Sequence, residues 1–413
     1  MWSGGFVGAV RHTAVMADVS AAVDRVWRRE AASMLGVLGR RLGDLDLAEE
    51  SLQDALDRAL TRWPVEGVPE RPAGWLVTTA WRKALDRLRR EAAGRDRLAA
   101  LAAEPVPEPT GDDRLALVFA CCHPALSEPH QVALTLRAVS GLTTREIAAA
   151  FLLPEATIAQ RLVRAKRRLR ERGVRFEPPV PGEYGERLRA VLAVVYLVFN
   201  EGYLATAGAS AGRRDLAREG VELARQLAGL MPAEPEAAGL AALLELHQAR
   251  AAGRFDDGGR LVLLEDQDRG GWDRALIGAA VARLRRAAAR DAPGPYQLQA
   301  AIAAQHALAP DYGATDWKVI RELYDTLHAL SPSPVVLLSR AVATRYAVDA
   351  RTALAEVDAL GERLDGYRLL HATRAELLRA LGRGPEADAA TRRALALATN
   401  PAERELLSRR LGA

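Results

Sequence analysis

At 413 residues the chain is long enough for two or three domains, and 49% apolar with 27% charged residues is ordinary for a soluble globular protein. Net formal charge is only +4, so where the positive charge sits says more than its total. The longest apolar run, Ala190 to Phe199, is too short to cross a membrane and has the length of a buried core helix.

Residues 1–18 hold scattered glycines and one Arg-His pair, without the ordered charged, apolar and cleavage segments of a leader. They are expected to be a disordered tail or a misassigned start, with Met16 opening a more normal sequence. A first helical block follows over 19–91. Within it, Leu42 to Leu56 reads as an acidic amphipathic helix. Leu45, Leu52, Ala55, Leu56 and Leu60 are expected to face inward; Asp46, Glu49, Glu50, Gln53 and Asp54 are expected to face out. A second helix runs from Trp75 to Arg90 and mixes aromatic with basic residues. Rings beside guanidinium groups suit single-stranded DNA, whose bases stack while its phosphates meet the charges.

Residues 92–111 are rich in Ala, Pro and Glu and read as a linker. A second helical block over 112–173 opens near Cys121, Cys122 and His123. Adjacent cysteines rarely bond to each other, and a metal site needs more ligands at compatible spacing, so two buried small side chains are expected. Lysine is nearly absent, standing only at Lys83, Lys166 and Lys318, so arginine carries almost all the positive charge.

The segment Ser140 to Arg172 is the most specific in the chain. Thr143 or Thr144 can cap a short helix with Glu146 in its first turn, and Ile147, Ala148 and Phe151 give it an apolar face. Pro154 ends that helix or begins the next. In the second helix Ile158, Leu162, Ala165 and Leu169 form one buried stripe. The remaining faces carry Gln160, Arg161, Arg164, Lys166, Arg167, Arg168, Arg170 and Arg172, with Glu171 the only acid between Arg161 and Arg175. This is the layout of a helix-turn-helix whose second helix lies in a major groove.

A second linker is expected over 174–185, with Pro178, Pro179 and Pro181. From 186 to 413 the pattern is helical, with loops at Gly and Pro. Ser339-Arg340-Ala341 recurs as Thr373-Arg374-Ala375 and Ala353 recurs as Ala387, each 34 positions later. That period, with Leu377-Leu378 and the run Leu381 to Ala387, resembles a tetratricopeptide unit. Polar landmarks there are Asn200 to Tyr203, Asp256 to Gly259, Gln267 to Arg269 with Trp272, Tyr296 to Gln299, and Thr315 to Trp317. They read as caps, turns and buried polar networks, or as a regulatory surface on a concave helical stack. No Gly-rich phosphate loop and no Ser-His-Asp constellation appears; no cofactor or metal is expected, and nothing points to catalysis.

Taken together, Asp46 to Asp54, Trp75-Leu76 through Arg90, the Cys-Cys-His-Pro-Ala-Leu approach and the basic helix-turn-helix resemble an extracytoplasmic-function RNA polymerase sigma factor of the sigma-70 family. Val195 to Tyr203 and the helical extension resemble more narrowly the subgroup with a C-terminal tetratricopeptide-like domain. The fold this implies is all-α: a region 2 helical bundle, a helix-turn-helix region 4 and a C-terminal repeat domain. The resemblance implies that Asp46, Glu49, Glu50, Gln53 and Asp54 meet the β′ clamp of core polymerase, with the β flap as a further contact. It implies that the loop Trp63 to Gly74 and the following helix open the −10 element, through Trp75, Trp81, Arg82, Lys83, Arg87, Arg89 and Arg90. It implies that Thr157, Gln160, Arg161, Arg164, Lys166 and Arg168 meet the −35 element.

The expected setting is cytoplasmic, without membrane contact, and with an intramolecular contact between the C-terminal domain and the sigma core as a means of control. The chain departs from the family pattern at Val65 to Pro72, at Trp81-Arg82, at Leu152 in the turn, and at Ala159-Gln160-Arg161 in the recognition helix, so neither promoter sequence can be borrowed. An operator-binding regulator with a sensing repeat domain and a repeat scaffold are the alternatives.

Overall fold

The computed structural model describes residues 4–90, 107–151, 153–177, 184–203 and 211–411; the side chains of 4–17, 28, 184 and 211–215 are outside that description. The chain divides into two compact units, Met1–Leu197 and Val198–Ala413. The described residues form helices and no strand; Phe255 and Leu261 make an isolated antiparallel bridge. No described helix is long and apolar enough to cross a membrane.

In the first unit α1 (Gly4–Leu42), α2 (Leu45–Glu66) and α3 (Pro72–Arg90) pack together. α1 begins at Gly4, inside the stretch read as a disordered tail or a misassigned start. Asp44 caps α2, its Oδ1 accepting from the amides of Asp46 (2.9 Å) and Leu47 (3.2 Å). The inward face of α2 is Leu45, Ala48, Leu52, Ala55, Ala59 and Trp63, whereas Leu56 and Leu60 are only half-buried. α2 runs on through Pro64 and stops at Gly67, whose φ of 83° lies in the left-handed region that glycine alone enters without strain. The loop expected over Trp63 to Gly74 is therefore only 67–71, because Trp63 is core and Pro72 already opens α3.

Four more helices complete the helix-turn-helix region: α4 (Gly111–Cys121), α5 (Glu128–Ala138), α6 (Thr144–Phe151) and α7 (Glu155–Glu171). Thr110 and Asp113 form a reciprocal capping box at the start of α4. α1 lies close against α4. A methyl at Gly36 would overlap the Asp113 carbonyl, and the buried Asp113 carboxylate takes the Arg40 guanidinium at 2.7 Å. Cys121 and Cys122 are buried as expected. Burial pushes the Cys121 thiol well up and the Cys122 thiol up to about 12, so neither is a thiolate at neutral pH. The linker read over 92–111 falls mostly outside the described residues, as do Leu152 and residues 178–183 of the second linker.

The boundary between the units falls inside α8 (Tyr184–Tyr203). In the second unit α9 (Ala211–Leu230), α11 (Arg274–Ala288) and α12 (Pro295–Leu308) all pack on α10 (Pro235–Ala249). α10 is apolar nearly all round and buried from Leu240 to Leu246. Its one buried acid, Glu245, is 1% exposed and accepts from Arg225 at 2.7 Å and Arg283 at 3.2 Å. Two cations on one carboxylate supply the compensation that a buried charge requires.

α13 (Trp317–Leu330) leads into two helical hairpins. The first joins α14 (Pro334–Ala347) to α15 (Ala350–Asp358). After the single turn α16 (Gly361–Leu364), the second joins α17 (Arg368–Ala380) to α18 (Gly384–Leu397). The 34-residue period reads directly in these hairpins: Ala341 and Ala375 are buried at one crossing, Ala353 and Ala387 at the next. α19 (Pro401–Leu411) packs on α18. Several polar landmarks are local devices: Asp268 and Asp316 cap helices, Asp256 closes a turn on Arg260, and buried Gln297 donates to the Ala292 carbonyl.

Candidate nucleic-acid and polymerase interface

The helix-turn-helix is built as its sequence predicts. Thr143 caps α6, its Oγ1 accepting from the Glu146 amide at 3.2 Å while Glu146 Oε2 accepts from the Thr143 amide at 2.7 Å. Those hydrogen bonds hold the Glu146 carboxyl below its usual range. Pro154 precedes α7, and Ile158, Leu162, Ala165 and Leu169 form its buried stripe against α5 and α6.

The opposite faces of α7 are basic and open. Gln160, Arg164 and Arg168 are exposed; Thr157 and Arg161 are half-buried. Burial and then the guanidinium groups of Arg161 and Arg164 hold His130 of α5 below the usual histidine range, a local sign of the positive field there. Val163 stands 63% exposed on this face. An apolar residue off the buried stripe is the signal that sequence reasoning passed over.

Lys166 differs from its neighbours. Its side chain is only 12% exposed, and Nζ donates to Asp46 Oδ1 at 2.9 Å and Glu49 Oε2 at 2.7 Å. Burial opposes its charge, but Glu49 and Asp46 outweigh that and hold the ammonium above its ordinary range. Arg170 reaches Asp44 Oδ2 and Asp46 Oδ2, each at 3.1 Å. Two residues expected at the polymerase are thus joined to one expected at the −35 phosphates. Lys166 as a free phosphate contact is corrected for this conformation.

One to two turns further along α2, Glu50, Gln53 and Asp54 are exposed and border an open groove of about 540 Å³ with Lys83, Arg87 and Arg90 of α3. Arg87 pairs with Glu50 across it. Arg82, Arg89 and Arg90 are exposed, and Lys83 and Trp75 are half-buried, with the Trp75 ring edge-on to Trp63 at 5.5 Å. Trp81 is corrected outright. It is 3% exposed, in the core, with the Arg41 guanidinium 5.4 Å from its ring centroid, and cannot stack on a base from there. Among the described residues no three His, Cys, Asp or Glu side chains gather as a metal site.

A helical bundle with an acidic and a basic edge, followed by a basic helix-turn-helix, is the arrangement of a DNA-binding protein. Family comparison is specific on both parts: residues 26–94 match Sigma-70 region 2 and residues 116–169 match Sigma-70 region 4. The chain belongs to the extracytoplasmic-function sigma factors of the sigma-70 family. Residues 187–288 match a family of unknown function, DUF6596.

An uncharacterized protein of Rhizobium meliloti is 47% identical over 381 residues, covering 89% of this chain and 90% of that protein. A probable ECF RNA polymerase sigma factor, SigI of Mycobacterium tuberculosis, is 28% identical over 160 residues, 36% of this chain and 54% of that protein. The chain therefore spans about half the length of SigI. No solved structure matches. Family membership makes this a DNA-binding transcription protein whose partners are core RNA polymerase and promoter DNA.

Proposed function

We propose that the protein binds core polymerase through α2, opens the −10 element with α3 and reads the −35 element with α7. The observation that carries this reading is the occurrence, in one chain, of a basic α7 set behind the capped α6 and an acidic α2 whose Glu50, Gln53 and Asp54 remain exposed. An operator-binding regulator has no need of such an acidic face. On α7, Gln160 and Arg161 suit base edges, Arg164 and Arg168 suit phosphates, and Val163 suits a thymine methyl.

Replacing Arg161 by Ala is expected to cost about 1–3 kcal/mol of discrimination between −35 variants, measured by competition binding of the holoenzyme. A uniform loss across sequences would mark Arg161 as a phosphate contact instead.

The pairs between α2 and α7 set a condition on this function. Promoter elements at −10 and −35 lie about 85 Å apart along B-DNA at 3.4 Å per base pair. Regions held by 2.7–3.1 Å ion pairs cannot reach both at once. Polymerase and promoter must therefore separate Lys166 and Arg170 from Asp44, Asp46 and Glu49, and the closed pairing is an intramolecular competitor. Lys166→Glu with Arg170→Glu removes the competitor and should raise core affinity roughly threefold to tenfold. Equal or weaker core binding in a titration would sink this reading.

The C-terminal unit is proposed to control polymerase engagement. Transcription in vitro from a promoter library, with the full chain and with one ending after Tyr203, tests the whole assignment. The cut belongs after Tyr203 because α8 contributes to the first unit, where Arg187 donates to the Phe119 carbonyl at 2.9 Å. Promoter-specific transcripts support the reading, and their difference gives the sign of control. Silence without core binding would transfer the assignment to an operator-binding regulator.

A further inference from the structure

The second unit holds a half-open pocket of about 360 Å³ that the transcription reading does not use. The loop at Glu265, α12, α13, α14, α17 and α19 all contribute to its lining. One wall is aromatic. Trp317 and Tyr346 stack with centroids 4.4 Å apart, and Tyr312 and His306 each meet Trp317 edge-on at 5.1 Å. Such a wall offers flat apolar faces at small cost in side-chain freedom. The volume is within the range of small-molecule sites.

Charge on the lining is unevenly satisfied. Glu376 pairs with Arg410 and, at 2.9 Å, with Arg379 outside the cavity, and Arg410 also comes within 4.0 Å of Glu265. Arg345 has no carboxylate partner among the described residues; its guanidinium lies 5.0 Å from the Tyr346 ring centroid. The neutral groups stay neutral. Burial lowers His306 to about 4, with Arg250 and Arg269 adding to the effect, while burial and a hydrogen bond with Tyr346 push the Tyr312 hydroxyl up. His306 Nδ1 is buried without a hydrogen-bond partner, although its residue lines the cavity.

We infer that this cavity binds a small planar aromatic carboxylate, its ring against the Trp317 and Tyr346 wall and its anion on Arg345. An amine or other cation is disfavoured, because both lining carboxylates are already engaged by arginines. A neutral ring loses the charge-assisted bond that Arg345 offers. The inference rests on the second unit alone and stands apart from the sigma-factor reading.

Ligand-observed NMR and calorimetry on the full chain, with indole-3-acetate, indole-3-acetamide and tryptamine as probes, test it. Indole-3-acetate is expected to bind at least roughly tenfold tighter than the amide or the amine. Arg345→Gln should erase that preference without unfolding the chain, since Arg345 holds no ion pair among the described residues. The exposed Arg286→Gln should leave it intact. Ser339→Phe, which fills the cavity, should remove binding of all three. No binding by any probe, equal binding of the three, tighter binding of tryptamine, or a preference that survives Arg345→Gln would overturn the inference.

Discussion

Reversing charge at Glu50 and Asp54 together is expected to weaken core polymerase binding by about 3 kcal/mol or more, roughly a hundredfold in Kd. Both carboxylates are exposed, one and two turns along α2 from Asp46, and neither pairs with α7 among the described residues. They are therefore available to a basic partner before regions 2 and 4 separate, whereas Asp46 and Glu49 are not. Glu50→Lys also sets an ammonium against Arg87, which now pairs with Glu50. Asp54→Lys has no such side effect and is the cleaner variant, expected to lose about tenfold on its own while leaving stability within about 0.5 kcal/mol. Core affinity by titration and unfolding by denaturant separate the two effects. Unchanged affinity in the double variant would remove α2 from the polymerase interface.

Acidification from pH 7 to pH 5 is expected to cost the second unit about 2–4 kcal/mol, through His247 and His306. Burial depresses His247 to about 3, and Arg250 and Arg254 add to it; His306 is depressed to about 4. Each imidazole is thus neutral in the folded unit at pH 5, while in the unfolded chain it would protonate near its ordinary value of about 6.5. Between those limits the unfolded state binds more protons, so stability rises with pH and is lost as pH falls from about 6.5 toward 4.

The packing explains the shift. His247 sits 5.3 Å from the Tyr203 ring and 6.2 Å from Phe199, and His306 sits against Trp317, so an added charge on either ring would be removed from water and face nearby arginines. Denaturant unfolding at the two pH values should show the loss, and the double variant His247→Gln, His306→Gln should flatten it. An equal slope in that variant would assign the acid sensitivity to other groups.

Much of the DNA-reading element was legible in the chain because its chemistry is periodic or local. Ile158, Leu162, Ala165 and Leu169 recur at helical spacing and are the residues buried in α7. Thr143 and Glu146 are three apart and close a capping box that needs no distant partner. The 34-residue repeat announced the two C-terminal hairpins, because each repeat buries an alanine at the same crossing. Trp81 misled for a physical reason: a tryptophan beside an arginine has the same composition whether it stacks on a base or fills a core, and only packing separates the two.

By itself, then, the sequence determined the all-α class, the helix-turn-helix with its buried stripe and basic face, the acidic α2 and the repeat period. All of these follow from spacing along one helix. Only the tertiary structure decided that Lys166 is held by Asp46 and Glu49, partners 120 and 117 positions away. Only it gathered Glu265, His306, Trp317, Arg345 and Arg410 around one pocket. Ion pairing and cavity shape depend on which surfaces meet after helices pack. Periodicity within a helix carries no information about that.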